Sequence, residues 1–197
     1  VHAKLDQDLS QNIWGNSFFE QNRMGGYKEI SDRIGAENYW PWGLSVGDIN
    51  ADGFQDAFVA SSMNFPFRYG VNSVLLNENG ERFRDSEFII GVEPRRDQQS
   101  AVRWFTLDCD DKKDAKYWAC EDRSGLVEIW GARGTRASVI FDLDKDGDLD
   151  IVTNEFNTEP LVLVNNLTSV SGANTRYLKI SLKGTTSNRS GIGARVE

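Results

Sequence analysis

Apolar residues along this chain come in short bursts rather than long amphipathic stretches. Leu44-Ser-Val46, Ala57-Phe-Val-Ala60, Val74-Leu-Leu76, Ser138-Val-Ile-Phe141, Ile151-Val-Thr153 and Leu161-Val-Leu-Val164 are rich in β-branched and aromatic residues, with Gly, Asn, Asp or Pro punctuating the chain between them. Such bursts read as short strands joined by turns. Ala101-Val-Arg-Trp-Phe-Thr-Leu107 and Leu126-Val-Glu-Ile-Trp130 extend the pattern. No convincing long helix interrupts it. No apolar run reaches the roughly 18 residues that a membrane span needs. The pattern predicts an all-β chain.

The bursts also recur. Asn72-Ser-Val-Leu-Leu-Asn77 echoes Asn16-Ser-Phe-Phe-Glu-Gln21, and each is followed by a Gly-containing turn and an aromatic, Tyr27 in one and Phe83 in the other. A third copy starts at Ala101 and runs through Tyr117-Trp-Ala119 to Trp130. A fourth starts at Ala137 and reaches Asn165. A period of about 35 to 60 residues, with four strands per unit, is the signature of β-propeller blades.

Two of the turns carry unusual chemistry. Asp48-Ile-Asn-Ala-Asp-Gly-Phe-Gln-Asp56 and Asp142-Leu-Asp-Lys-Asp-Gly-Asp-Leu-Asp150 both read D-x-[DN]-x-D-G-x-x-D. Oxygen side chains at alternate positions, followed by a Gly bend, wrap the chain around a hard cation. The pattern assigns Asp48, Asn50, Asp52, Asp56 and the carbonyl of Phe54 to one ion. It assigns Asp142, Asp144, Asp146, Asp150 and the carbonyl of Asp148 to a second. Oxygen-only donors favour Ca²⁺ over Mg²⁺, which prefers smaller and wetter octahedral sites. An EF-hand is excluded, because its bidentate Glu would fall on Val59 or Thr153 and its flanks would be helical. Each loop is expected to join two strands. The second offers four ligand carboxylates against three in the first, so it is expected to bind more tightly.

The third copy departs from this pattern. Asp108 and Asp110 fill the first and third ligand positions, but Lys112 and Lys116 fall at the fifth and ninth, and Lys113 replaces the Gly. Lysine has donors only, so this turn is expected to be metal-free. Its lysines either neutralise Asp108 and Asp110 or are plain surface charges. Cys109 and Cys120, the only cysteines, either pair with each other in an oxidising compartment or remain thiols.

The chain has 22 Lys plus Arg against 30 Asp plus Glu, a formal charge of -8. That balance excludes a nucleic-acid binder, which needs clustered positive charge. The single histidine, His2, leaves no base for a Ser-His-Asp triad and no His-ligated zinc site. No nucleophile elbow, HExxH or phosphate-binding Gly loop is present. Val1 to Gln11 has neither the basic start nor the apolar centre of a signal peptide. Asn166-Leu-Thr168 and Asn188-Arg-Ser190 have the form of glycosylation sequons.

GDINADGFQDAFVA and FDLDKDGDLDIVTNEF resemble the FG-GAP/VCBS repeats of integrin α-chain-like β-propellers. Tyr177-Leu-Lys-Ile-Ser-Leu-Lys-Gly184, followed by Ser187-Asn-Arg-Ser-Gly-Ile-Gly-Ala-Arg-Val196, resembles the opening of an ASPIC/UnbV domain, which follows such repeats in the cartilage acidic protein family. The resemblance implies five segments. Residues 1–41 are expected as the second half of a blade, 42–98 as a calcium-loop blade, and 99–136 as a degenerate blade without metal. Residues 137–174 are expected as a second calcium-loop blade, and 175–197 as the start of the further domain. The fold expected is a partial propeller of antiparallel four-stranded blades, a piece of a larger protein.

The function implied is a non-catalytic, calcium-binding module for adhesion or for recognition of a protein or carbohydrate. It is expected in a secreted, periplasmic or cell-surface setting, with self-association through open blade edges. The alternative is a propeller-based hydrolase or lyase whose catalytic residues are not evident here. Tyr39-Trp-Pro-Trp42 and Met63-Asn-Phe-Pro-Phe-Arg-Tyr69 are the aromatic segments expected at contacts between blades or with a partner.

Overall fold

The computed structural model describes residues 16–61, 69–170, 177–178, 180–186 and 188–196. These residues are all-β, with small antiparallel sheets, two single-turn α-helices and two 3-10 turns, Asp114–Lys116 and Trp118–Cys120. A hairpin of β1 (Phe19–Gln21) and β2 (Tyr27–Glu29) leads into helix α1 (Ser31–Ile34). Strands β3 (Pro41–Gly47), β4 (Asp56–Ser61), β5 (Ser73–Glu78) and β6 (Arg82–Asp85) form a four-stranded meander in chain order. Among the described residues β7 (Ala101–Asp108) pairs only with β8 (Leu126–Ala132). β9 (Thr135–Phe141), β10 (Asp150–Glu155) and β11 (Val162–Leu163) form a three-stranded sheet, and helix α2 (Leu167–Val170) follows it.

Set against the expected segments, residues 42–98 hold four paired strands and 137–174 hold three. Residues 99–136 hold the long β7–β8 hairpin and the start of β9. The described residues after 175 form no regular strand or helix. The sheets stack but do not close into a ring among the described residues. Most of the segment Met63 to Tyr69 lies outside them.

The core lies between the two larger sheets. Antiparallel pairing places Ser45, Phe58 and Val74 on one face of the four-stranded sheet, because residues opposite each other share a face. On the three-stranded sheet the same rule aligns Ile140, Ile151 and Leu163. These faces meet in one cluster built around Phe58, Ala60, Val74 and Ile151, in which Phe58, Ala60 and Val74 are fully buried. Burying a side chain of this size contributes about 1.5–3 kcal/mol. Strand β3 lies against β9, where Ser45 Oγ donates to the Ser138 carbonyl at 2.7 Å. The approach depends on Gly43, since an added Cβ would lie 2.8 Å from the Arg136 carbonyl oxygen.

The β7–β8 hairpin has its own small core of Leu107, Cys109, Ala119, Cys120 and Ile129, closed by a Cys109–Cys120 disulfide. Its Trp104 meets Phe156, just beyond β10, edge to face at 5.6 Å.

A buried polar network ties the two larger sheets together. Arg95 approaches Glu155 at 2.7 Å, with the two side chains 4% and 0% exposed. Glu155 also accepts from the hydroxyls of Thr135 and Thr153, both at 2.7 Å. Arg95 Nε donates to the Tyr69 hydroxyl, which in turn lies 2.9 and 3.0 Å from the oxygens of Glu93. One carboxylate thus contacts the guanidinium directly and the other reaches it through the Tyr69 hydroxyl. Burial pushes the Glu93 carboxyl above its ordinary 4.5, against the lowering effect of Tyr69, the Asn72 amide and Arg95.

Removing one partner of a buried ion pair costs about 3–5 kcal/mol, because the other charge is left stranded. Arg95→Met should lower the unfolding free energy by about that much in urea denaturation; a loss below about 1 kcal/mol would show that the pair is dispensable. Glu93 has the opposite sign of pH dependence from a salt-bridged carboxylate. Its raised native pKa means that its contribution is complete below 4.5 and is lost as pH rises through the native value. Glu93→Gln should therefore gain stability relative to the unsubstituted protein across that rise, and parallel pH–stability curves would contradict this assignment.

Candidate metal centre

The two acidic loops occupy corresponding corners. Each follows the first strand of a larger sheet and leads into the second, β3 to β4 and β9 to β10. Their backbones share two left-handed positions. The fourth position is left-handed in both, Ala51 at φ 57° and Lys145 at φ 68°. The sixth is Gly53 at φ 92° and Gly147 at φ 98°, a conformation that favours glycine. Gly147 is also crowded, since an added Cβ would lie 2.0 Å from the Tyr177 ring.

The ninth residue holds each corner. Asp56 and Asp150 are fully buried. Asp56 accepts the Ile49 amide and the Asn77 amide, both at 2.8 Å. Asp150 accepts the Leu143 amide and the Asn165 amide, also both at 2.8 Å. Each carboxylate thus ties the start of its loop to the strand region beyond it. Each oxygen retains acceptor capacity towards a further ligand. The two asparagines also donate from their side chains, Asn77 to Gln55 O and Asn165 to Ile49 O and Leu149 O. The Asn165–Ile49 bond, at 2.8 Å, joins the second loop to the first.

The loops differ in their remaining carboxylates. In the first, Asp48 folds back on its own turn, accepting the amides of Asp52 at 3.0 Å and Gly53 at 2.9 Å. Asn50 Nδ2 donates to Asp52 at 2.9 Å. The side chain of Phe54 is half-buried. In the second, Asp142, Asp144 and Asp146 converge, each offering a carboxylate oxygen within 4.8 Å of the others. Asp142 Oδ1 and Asp148 Oδ1 are both buried and have no hydrogen-bond partner. Thr168 Oγ1 lies 2.8 Å from Asp146 Oδ2 and 3.1 Å from Asp148 Oδ2, bracing these two side chains from helix α2. The hydroxyl of the sequon that begins at Asn166 is therefore engaged with the acidic loop.

Like charges at this spacing oppose one another. Burial pushes the Asp148 carboxyl up, and the neighbouring Asp146 adds to the rise. Asp144 is also pushed up, by desolvation and then by Asp146 and Asp150. Asp146 is held below its ordinary value by the Asp148 amide and the Thr168 hydroxyl. Burial raises Asp56 in the first loop. Convergent carboxylates with an unpartnered buried oxygen are a donor set suited to a hard divalent cation, which would relieve this repulsion.

In the third turn, Asp108 Oδ1 accepts the Asp110 amide, and the Asp108 amide donates to Asp114 Oδ2. Among the described residues no ion pair joins Lys112 or Lys116 to Asp108 or Asp110. Trp42, at the end of the aromatic segment, lies beneath the Arg136 guanidinium at 4.5 Å, and Arg136 also stands over Phe156 at 5.1 Å. This places Trp42 at the junction between the two larger sheets. The sequence reading missed the roles of Asn77, Asn165 and Thr168. Its signal for the asparagines was the recurrence of Leu-Leu-Asn77 and Leu-Val-Asn165 after the two loops.

Comparison with protein-family models, with curated proteins and with solved structures gave no match.

Anchoring and ligation are separable by substitution. Asp150→Asn removes charge-assisted bonds to two amides and should cost about 1.5–3 kcal/mol even in chelator. Asp144 is exposed and accepts the Asp146 amide at 3.3 Å, with no bond to an amide outside its loop among the described residues. Asp144→Asn should leave stability in chelator within about 0.5 kcal/mol. Urea denaturation of both variants in chelator checks this, and equal losses would mean that Asp150 has no special anchoring role.

Proposed function

We propose that this chain is a calcium-binding, non-catalytic module of FG-GAP/VCBS-type β-propeller repeats, used extracellularly for adhesion or for recognition of a protein or carbohydrate. The observation that carries the reading is the convergence of Asp142, Asp144 and Asp146 at a strand-to-strand corner, with the Asp142 Oδ1 buried and unpartnered. The same two left-handed positions and the same anchoring of the ninth residue in the first loop support a second site of the same kind. A four-stranded antiparallel meander with the acidic loop at its first turn supports the blade assignment. The resemblance to the repeat family rests on the motifs themselves. The Cys109–Cys120 disulfide supports an oxidising compartment, where free Ca²⁺ is high enough to fill even weak sites.

In this reading two ions are bound. One is held by Asp48, Asn50, Asp52, Asp56 and the Phe54 carbonyl, the other by Asp142, Asp144, Asp146, Asp150 and the Asp148 carbonyl. The first site requires Asp48 to turn from its own amides towards the ion, a reorganisation that adds to the charge difference in making it the weaker site. Calorimetric titration of chelator-treated protein with Ca²⁺ should resolve two sites, and Asp144→Asn should weaken the tighter one. At free Ca²⁺ one hundred times the dissociation constant, each site adds about 2.7 kcal/mol of stability. The melting midpoint should therefore fall in chelator and recover with Ca²⁺ but poorly with Mg²⁺. A flat titration of folded protein would remove the calcium assignment.

A further inference from the structure

The residues before β3, before β5 and after β6 gather at the end of the four-stranded sheet remote from its acidic loop. Asn38 bonds there to Ser61, the last residue of β4, and the Ser61 amide donates to Asn72. Together these segments wall a cavity of about 270 Å³. Glu37, Asp85 and Glu87 line it, and among the described residues no Lys, Arg or His does. None of the three carboxylates has an ion pair among the described residues. Glu87 is buried and accepts the Val74 amide at 3.2 Å. Burial pushes the Asp85 carboxyl up, and Glu87 adds to the rise. Burial also raises Glu37, reinforced by Asp32 and Glu29. The cavity therefore has a negative potential that no neighbouring cation offsets.

The other walls discriminate among cations. Tyr39, Tyr69 and Phe88 line the same space. The face of an aromatic ring attracts a cation within about 6 Å. Tyr69 already serves in this way, with the Arg95 guanidinium 5.4 Å from its centroid. Asn38, 3% exposed, lines the cavity as well. Its Nδ2 donates to Ser61 Oγ at 3.0 Å, and its Oδ1 is buried without a partner. A buried acceptor of this kind calls for a hydrogen-bond donor. A quaternary ammonium satisfies the carboxylates and the rings but has no N–H to give. A primary ammonium satisfies all three. The volume lies just below the roughly 300–1,000 Å³ of sites for drug-sized ligands, so it fits a group the size of one side chain.

We propose that this cavity binds a primary alkylammonium group, from a free amine or from a lysine side chain of a partner. The ammonium is directed to the carboxylates and Asn38, and the alkyl stem lies against the rings. The site is apart from both acidic loops and does not depend on the calcium reading.

The test is an NMR titration of the full chain, run in Ca²⁺ and again in chelator. The probes are n-butylamine, which is the lysine side chain alone, and Nα-acetyl-lysine methylamide. The controls are n-butanol, tetramethylammonium and NaCl at matched concentrations. In both conditions n-butylamine should shift the amides of Val71, Ser73 and Phe88 saturably. A lysine derivative that binds at least as well identifies a lysine side chain as the source, and one that fails where n-butylamine binds identifies a free amine. Tetramethylammonium should bind about tenfold more weakly or worse, the loss expected for one charge-assisted hydrogen bond. Glu37→Gln combined with Asp85→Asn should weaken n-butylamine about tenfold. Glu159→Gln, at an exposed acid outside the cavity, should leave binding unchanged and so controls for net charge. Circular dichroism checks the fold of each variant, and Asp85→Asn alone, with a loss of about threefold, replaces a double variant that fails to fold. Shifts reproduced by NaCl or n-butanol overturn the proposal. So do equal affinity for tetramethylammonium and binding untouched by the acidic substitutions. Loss of n-butylamine binding in Ca²⁺ also overturns it, and would assign the carboxylates to a metal.

Discussion

Two buried carboxylates govern the geometry of the rest. Asp56 and Asp150 are removed from water, a costly position for a charge unless hydrogen bonds replace the lost hydration. Each gains two backbone amides, one from its own loop and one from beyond the following strand. That exchange fixes the corner. With the corner fixed, the left-handed fourth residue and the glycine at the sixth bring the alternate oxygens round to one side. In the second loop Asp142, Asp144 and Asp146 converge within the corner that Asp150 holds.

The same corners set the packing of the sheets. Asn165 accepts the role that Asn77 has in the first sheet and adds a bond to Ile49, so the two acidic loops are joined at one end of the stack. Arg95 and its two glutamates join the sheets at the other end, near Ser61, Asn72 and Thr135. Between these polar seals lie Phe58, Val74 and Ile151. Polar bonds at both ends fix the relative register of the sheets, while apolar burial between them supplies most of the favourable free energy. The β7–β8 hairpin stands apart from this arrangement, with a core and a disulfide of its own.

Much of this was legible in the sequence, and for identifiable reasons. The strands flanking both loops follow from β-branched bursts bounded by turn residues, and the all-β class follows from them. The two corners were legible because D-x-[DN]-x-D-G-x-x-D constrains five positions at once. What the residues did not reveal was the division of labour within each loop. A carboxylate that braces amides and one that faces an ion look alike in a motif, so the anchoring by Asp56 and Asp150 emerged only with the hydrogen bonds. The Glu93–Arg95–Glu155 network was invisible because Glu155 lies far along the chain from Glu93 and Arg95 and the three belong to no pattern. The third copy, from Ala101 to Trp130, repeats the strand pattern but forms a two-stranded hairpin, because composition alone does not say which strands pair.

The central claim is that the corner held by Asp150 is a cation site. Anomalous diffraction from crystals grown with Ca²⁺ tests it most directly. The account predicts a peak between Asp142, Asp144 and Asp146 with carboxylate oxygens at about 2.3–2.6 Å, while Asp150 keeps its bonds to the Leu143 and Asn165 amides. An ordered corner with no peak, its carboxylates joined only by waters or shared protons, would contradict it.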